Sequence, residues 1–393
     1  MYYFRNHQTR SLGAVILLGL AWHGLHADGG DPKFTNSLST RLAKQTTSKK
    51  SSTKTKTQSA TGTTTTAKTR TKTEVEALIN KDGKTPPAWF DETPLNYPKT
   101  LKLDWPKDTG GWNNQVNVGQ YIWDVINPNP SKWKEGVRLM HHILKVNGKN
   151  QEVIKKACGT LGHLYGDCME DYARAAFWWR LSGGNDLNLA HCYWKLGSKS
   201  MAEAILKQYS NDNTRHASVI RLWAEMGETD MALKMAEKMS RTSSADVGFL
   251  VLGDVYRLTG RYAEALKAYQ KVVDAKAGSR DLPKNQGRAR SSVEAIKVFE
   301  TLDLKRIADG KYRQKSLGYE ADIEVEVSVK SGQIEDVQVT QHREKQYYSA
   351  LTDTTRQIID KQGVKGVDAT SRATITSEAI INATAKALAS GLK

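Results

Sequence analysis

Two hydrophobic periods divide the chain. From 322 to 330 apolar and polar residues alternate strictly: Ile323, Val325, Val327 and Val329 fall on one face, Glu324, Glu326, Ser328 and Lys330 on the other. That period marks a half-buried strand. Ser331-Gly332 follows as a two-residue turn and Ile334 to Val339 returns, so the pattern predicts an antiparallel hairpin. Elsewhere the period is helical, first over a long stretch from Trp133 to about Ala277. A segment from about Gln346 to Asp360 carries Tyr348, Leu351, Thr355, Ile358 and Ile359, and a last one, Glu378 to Leu392, carries Ala379, Ile380, Ala383, Ala387 and Leu388. Thr376 or Ser377 is the expected N-cap of that last helix. Between the long stretch and the hairpin, Pro283 and Gly287 act as breakers in a connector from Gly278 to Ala289. Ser291 and Glu294 then make a capping box for a bridging helix with Val293, Ile296 and Phe299.

The long helical stretch repeats. Phe249, Leu252, Gly253, Tyr256, Gly260, Tyr262, Ala265 and Tyr269 match the tetratricopeptide signature at most of its spaced positions. Gly253 and Ala265 let two antiparallel helices approach closely, and Gly260 makes the turn. Weaker copies precede this unit. One has Leu161, Gly162, Tyr165, Asp171, Ala175 and Trp178, the next Leu189, Ala190, Tyr193, Gly197 and Ala202, and a third Trp223, Gly227 and Ala232. Gly197, Gly227 and Gly260 are 30 and 33 residues apart, close to the ~34-residue period of such repeats. Stacked pairs form a superhelix with a concave face that usually binds protein. Ahead of them, Thr85 to Trp133 is rich in Trp and Pro. Prolines deny it long helices and the aromatics give it something to bury, so an extended segment wrapping onto the helices is expected, with a ligand groove as the alternative use of the rings.

Composition changes the picture at the N-terminus. Arg5 and Arg10 precede an apolar run from Leu12 to Trp22, and Leu25-His26-Ala27 follows as a small-residue cleavage site, which reads as a secretory signal over 1–27. Uncleaved, it would remain as an N-terminal anchor. Residues 33–73 hold ten Lys or Arg and no acid, a composition that cannot repay its ordering entropy. The expectation for 28–75 is a disordered tether, and its acid-free residues 33–73 carry most of the formal net charge of +16. An exported basic tail would meet anionic lipid headgroups or wall polymers, giving membrane-surface association, and no nucleic acid is expected; a solvated spacer without a partner fits equally well.

Chemistry is scarce along the chain. Cys158, Cys168 and Cys192 sit on repeat positions, are odd in number and lack metal-ligand spacing, so buried free thiols are expected, with one disulfide as the alternative. His141 and His142 are adjacent on one helix and point apart, as structural histidines do. No metalloprotease, phosphate-loop or nucleophile-elbow motif occurs, and no metal or catalytic residue is assigned. What stands out is Asp368-Ala369-Thr370-Ser371-Arg372-Ala373-Thr374-Ile375-Thr376-Ser377, a hydroxyl-rich run opening onto the last helix. Hydroxyls before a helix start make a phosphate seat or simply a capped turn.

Asp368, Ser371, Ala373 and Thr374, with Asp309-Gly310-Lys311-Tyr312 and Gly318-Tyr319 upstream, resemble the FMN-binding domain of the flavin subunits of sodium-pumping NADH:quinone reductase and the Rnf complex. The resemblance implies FMN linked by phosphodiester to Thr374 by a separate flavin transferase, with Gly318 and Tyr319 bordering the flavin. Arg372 stands where that family usually has a small residue, and could pair with a phosphate or obstruct the transferase; noncovalent FMN thus stays open. The expected fold class is α+β multidomain. It runs from the Trp/Pro-rich segment at 76–131 to a tetratricopeptide-like superhelix at 132–278, a connector and bridging helix at 279–305, and a small α+β FMN-binding domain at 306–393. The function expected is an exported, periplasmic or cell-envelope electron-carrier flavoprotein, an electron-transfer protein rather than an independent catalyst, docked to redox partner proteins through its repeats. The alternative is an envelope scaffold whose last domain holds no flavin.

Overall fold

A computed structural model describes residues 69–107, 110–183, 186–209, 217–299, 301–344, 348–367 and 373–392. The expected signal, most of the expected tether and residues 368–372 lie outside these residues. Helix α1, Lys72–Asp82, begins inside the stretch expected to be tether, because Thr71 and Glu74 close a reciprocal capping box there. Its Glu76 takes a bidentate pair of hydrogen bonds from Arg180 at 2.8 and 2.7 Å, which ties the helix to the repeats.

The segment that follows has no long helix, as its prolines require. It contains the short helix α2, Val118–Tyr121, and one π-helical turn over Ile122–Ile126. Trp89, Phe90, Tyr97 and Trp105 pack on the helical core. The two histidines are separated as expected: the His141 ring meets Phe90 and Trp178 edge-on, while His142 Nε2 lies 3.3 Å from the Tyr97 hydroxyl.

Among the described residues the helices of the repeat region are α3 (Trp133–Val146), α4 (Gln151–His163), α5 (Tyr172–Ser182), α6 (Asp186–Lys195), α7 (Lys199–Leu206), α8 (Ala217–Glu225), α9 (Thr229–Met239), α10 (Ala245–Leu258) and α11 (Tyr262–Val273). Gly197, Gly227 and Gly260 all have φ between 74° and 91°, the left-handed turn that a side chain resists. Within the clearest pair, a Cβ at Gly253 would stand 2.6 Å from the Tyr269 ring. The absent side chain therefore sets the spacing of α10 and α11. Cys158, Cys168 and Cys192 are buried and free.

Helix α12, Leu282–Phe299, starts nine residues before the predicted capping box at Ser291. Pro283 is its second residue, where no intrahelical N–H is needed. Gly287 lies in its interior, and a Cβ there would come within 2.9 Å of a Leu317 methyl.

The C-terminal part holds a three-stranded antiparallel sheet in the order β1-β2-β3, made of Gly310–Leu317, Asp322–Lys330 and Gln333–Gln341. Ser331 and Gly332, at φ 52° and 73°, form the mirror-image turn that suits a two-residue hairpin. Ile323, Val325, Val327 and Val329 are buried, as the alternation required. Strand β1, which lacks that alternation, pairs antiparallel with β2 along its whole length, and Arg313 and Lys311 reach Glu326 at 2.6 and 2.9 Å. Helices α13, Ser349–Lys361, and α14, Thr374–Ser390, complete the domain. Helix α14 is buried nearly all round and packs on β1, β2, α12 and α13. Among the described residues no helix is long and apolar enough to cross a membrane.

Candidate functional site

Helix α14 begins earlier than its hydroxyls suggest. Its N-cap is Ala373, without a side-chain bond, and Thr374 is the first helical residue. Thr376 and Ser377, expected to cap, lie inside the first turn with their hydroxyls committed elsewhere. Thr376 donates to Glu344 Oε2 at 2.7 Å, and Ser377 Oγ lies 3.0 Å from the Thr354 hydroxyl of α13. Tertiary partners thus satisfy these hydroxyls. Asp368, Ser371 and Arg372 lie outside the described residues.

Glu344 gathers the rest of the predicted set. Its Oε1 accepts from the backbone N–H groups of Tyr319 and Glu320 at 2.9 and 3.2 Å, while its Oε2 holds Thr376. Gly318 is required at this point, since a Cβ there would lie 2.7 Å from the same Oε1. One buried carboxylate therefore joins the Gly318-Tyr319 turn to the first turn of α14. Tyr319 itself is exposed, with the Lys284 ammonium 4.3 Å above its ring.

Thr374 faces another way, toward the repeats. It is 4 % exposed and lines a cavity of about 30 Å³ with Val367, Arg221 of α8, and Asp254 and Arg257 of α10. Room for about two waters remains there, and none for a flavin ring. Behind this wall runs a buried charge network. Arg221 pairs with Asp254 at 2.9 Å, Tyr269 donates to Asp254 at 2.8 Å, and Arg288 of α12 pairs with Glu378 of α14 at 2.8 Å. Arg257 stands 3.8 Å from Glu378, beyond hydrogen-bond reach, and its Nη1 has no partner. Burial and the neighbouring Glu378 carboxylate push Asp254 up to about 6. Burial opposes ionisation of Glu378 too, but Arg288, Arg257 and Arg221 outweigh it and hold that carboxyl at about 2.

Sequence pattern alone missed these groups. Arg221, Asp254, Arg257, Arg288 and Glu378 are charged residues on helices, which ordinarily form solvated faces, and only tertiary packing buries them. Glu344 stands in a stretch with no period at all, and its side-chain partners are 24 to 32 residues away.

A second cavity, of about 420 Å³, opens between the Trp/Pro-rich segment, the first repeat and α13, and is lined by Trp89, Trp133, Met169, Glu170 and Thr352. Two of the sequence's aromatic residues therefore do border a groove as well as packing. Among the described residues no group of His, Cys, Asp and Glu could hold a metal.

The comparisons with known proteins agree with this layout. Residues 318–389 match the family model of the FMN-binding domain, and residues 249–278 match that of the tetratricopeptide repeat. No curated protein and no solved structure matches the chain.

Proposed function

We propose that the chain is an exported electron-carrier flavoprotein with FMN linked through a phosphodiester to Thr374. The observation that carries the reading is the position of Thr374: within the part that matches the FMN-binding domain, it is the first residue of α14, where the positive end of the helix dipole favours an anion, and it shares a cavity with Arg257, whose Nη1 has no partner. Bound FMN supplies reversible electron transfer, and the protein orients it and tunes its potential. Ala373 and the hydroxyl of Thr374 would form the attachment point together with Asp368, Ser371 and Arg372. Gly318 and Tyr319 would border the flavin, Glu344 fixing them against Thr376.

Thr374 is an ordinary alcohol and no base is needed from this chain. On a flavin transferase the Thr374 Oγ–P bond would form as the donor's bond from phosphorus to its leaving group breaks, the hydroxyl proton passing to a base of the transferase. An exported protein has no cytoplasmic flavin pool to rebind from, so a covalent link would prevent loss by dilution. The tetratricopeptide unit supports protein–protein docking in general, and redox partners are the partners this function requires. The N-terminal signal would serve export, and the basic tether association with the envelope surface.

The tightness around Thr374 favours a second reading, a repeat scaffold whose last domain keeps the fold without flavin. One experiment separates them. Full-length protein is coexpressed with a flavin transferase, and fluorescence is recorded after denaturing electrophoresis. A retained flavin signal that disappears in Thr374→Ala is expected. Absence of any flavin absorption band supports the scaffold, and a Thr374→Ala variant that stays fluorescent removes the proposed linkage.

A further inference from the structure

The repeats and the FMN-binding domain meet at Thr374, where their contact includes a buried group of charged side chains. Arg221, Asp254 and Arg257 come from α8 and α10, Arg288 from α12 and Glu378 from α14. Three guanidinium groups thus share two carboxylates. Glu225, also on the cavity, has a partner of its own. Buried guanidinium groups ordinarily use their donors in full, because an unpaired donor in a low-dielectric interior carries its whole desolvation penalty. Here Arg257 is 7 % exposed, yet its Nη1 has no acceptor and its nearest carboxylate, Glu378, is 3.8 Å away. The Nε of Arg288 is unsatisfied as well. Of these residues Arg257 lines the cavity that Thr374 borders.

We infer that Arg257, assisted by Arg221, is a phosphate-binding residue supplied by the helical repeats, so that the anion site at Thr374 is composite and the repeats complete it. The inference rests on the FMN reading for the identity of the ligand, but concerns a different contact. An anionic oxygen at the head of α14 would meet two independent sources of positive potential, the positive end of the helix dipole and the Arg257 guanidinium, whose Nη1 has no partner. The cavity admits the volume of about two waters, room for phosphate oxygens, with the ring left outside. A face of α8 and α10 that would otherwise be open to a protein partner is then used within the chain, to read the flavin's phosphate.

The test uses full-length protein made without a transferase, titrated with free FMN and with riboflavin, which lacks the phosphate, while flavin fluorescence is followed. Wild type should bind FMN at least about tenfold more tightly than riboflavin, the size of one charge-assisted contact. Arg257→Gln should collapse that preference, and Arg257→Lys should retain part of it. Far-ultraviolet circular dichroism and the riboflavin affinity report whether the variants stay folded. Wild type that binds neither ligand, or binds both equally, overturns the inference, as does an Arg257→Gln protein that keeps the tenfold preference. Its failure is separable from failure of the covalent reading: a phosphate preference without transferase-dependent flavin leaves the arginine site standing, whereas covalent loading of a wild type that shows no phosphate preference removes only the arginine site.

Discussion

Single residues set two measurable properties. His141 is packed among Phe90, Trp178 and Arg138, with Nε2 buried and unpartnered, and burial together with the Arg138 charge lowers it to about 4 from 6.5. Over that interval the unfolded chain binds a proton that the folded chain refuses, so stability falls as the pH drops from 6.5 toward 4, by up to ~3 kcal/mol. His141→Phe removes this titration, and the difference between wild-type and variant urea midpoints should shrink as the pH is lowered across the interval. Gly253 acts through shape. A Cβ there would press on Tyr269, whose ring is fully buried and whose hydroxyl is fixed to Asp254 at 2.8 Å. Gly253→Ala should therefore destabilise by about 1–3 kcal/mol, read from the denaturation midpoint. Its role was legible from the repeat signature, since the signature's small residue has a steric purpose that does not depend on distant parts of the chain.

Elements were legible where one local rule fixed them and obscure where a distant partner did. The hairpin β2–β3 follows from the alternation and from a Ser331-Gly332 turn that tolerates positive φ. Strand β1 follows from neither; cross-strand pairs from Lys311 and Arg313 to Glu326 and from Lys315 to Glu324 are its only signature, and they exist only after pairing. The same reason explains α12, where Pro283 and Gly287 resemble breakers until one finds the first at the helix start and the second opposite Leu317. It also explains why α14 starts at Thr374 rather than at a capping hydroxyl. Glu344 is the element-scale lock, because it ties the β1–β2 turn to α14 through three hydrogen bonds. Glu344→Ala strands two backbone donors and a buried hydroxyl and should destabilise by about 2–4 kcal/mol, with Glu344→Gln costing less. Faster amide exchange at Tyr319 and Glu320 in the alanine variant is the measurement that assigns the loss to this lock; unchanged exchange would place the effect elsewhere.

At the scale of the molecule, α10 and α11 belong to two cores at once. Val251, Leu252, Val255 and Ala268 pack with the earlier repeats, while Leu250, Ala265, Tyr269 and Val272 pack with α12, the sheet and α14. The contact returns at the other end of the repeats, where Tyr348 of the C-terminal domain packs in the first core and lies 5.6 Å from the Trp133 ring. The two parts named by family resemblance are thus not independent beads, which no local pattern could reveal, since each half of the α10–α11 pair shows the same 3.6-residue period whichever neighbour covers it. Removing residues 306–393 would uncover Leu250 and Tyr269 and leave Asp254 and Arg257 without Glu378, exposing apolar area and unpairing charge together. The described part of the chain should consequently unfold in one calorimetric transition, with calorimetric and van't Hoff enthalpies in agreement. The truncated protein should melt lower and bind a hydrophobic dye. Two separate transitions in the full chain, or a truncated repeat region as stable as the whole, would show that the shared core does not couple them, and would remove the structural basis for a phosphate site assembled from both.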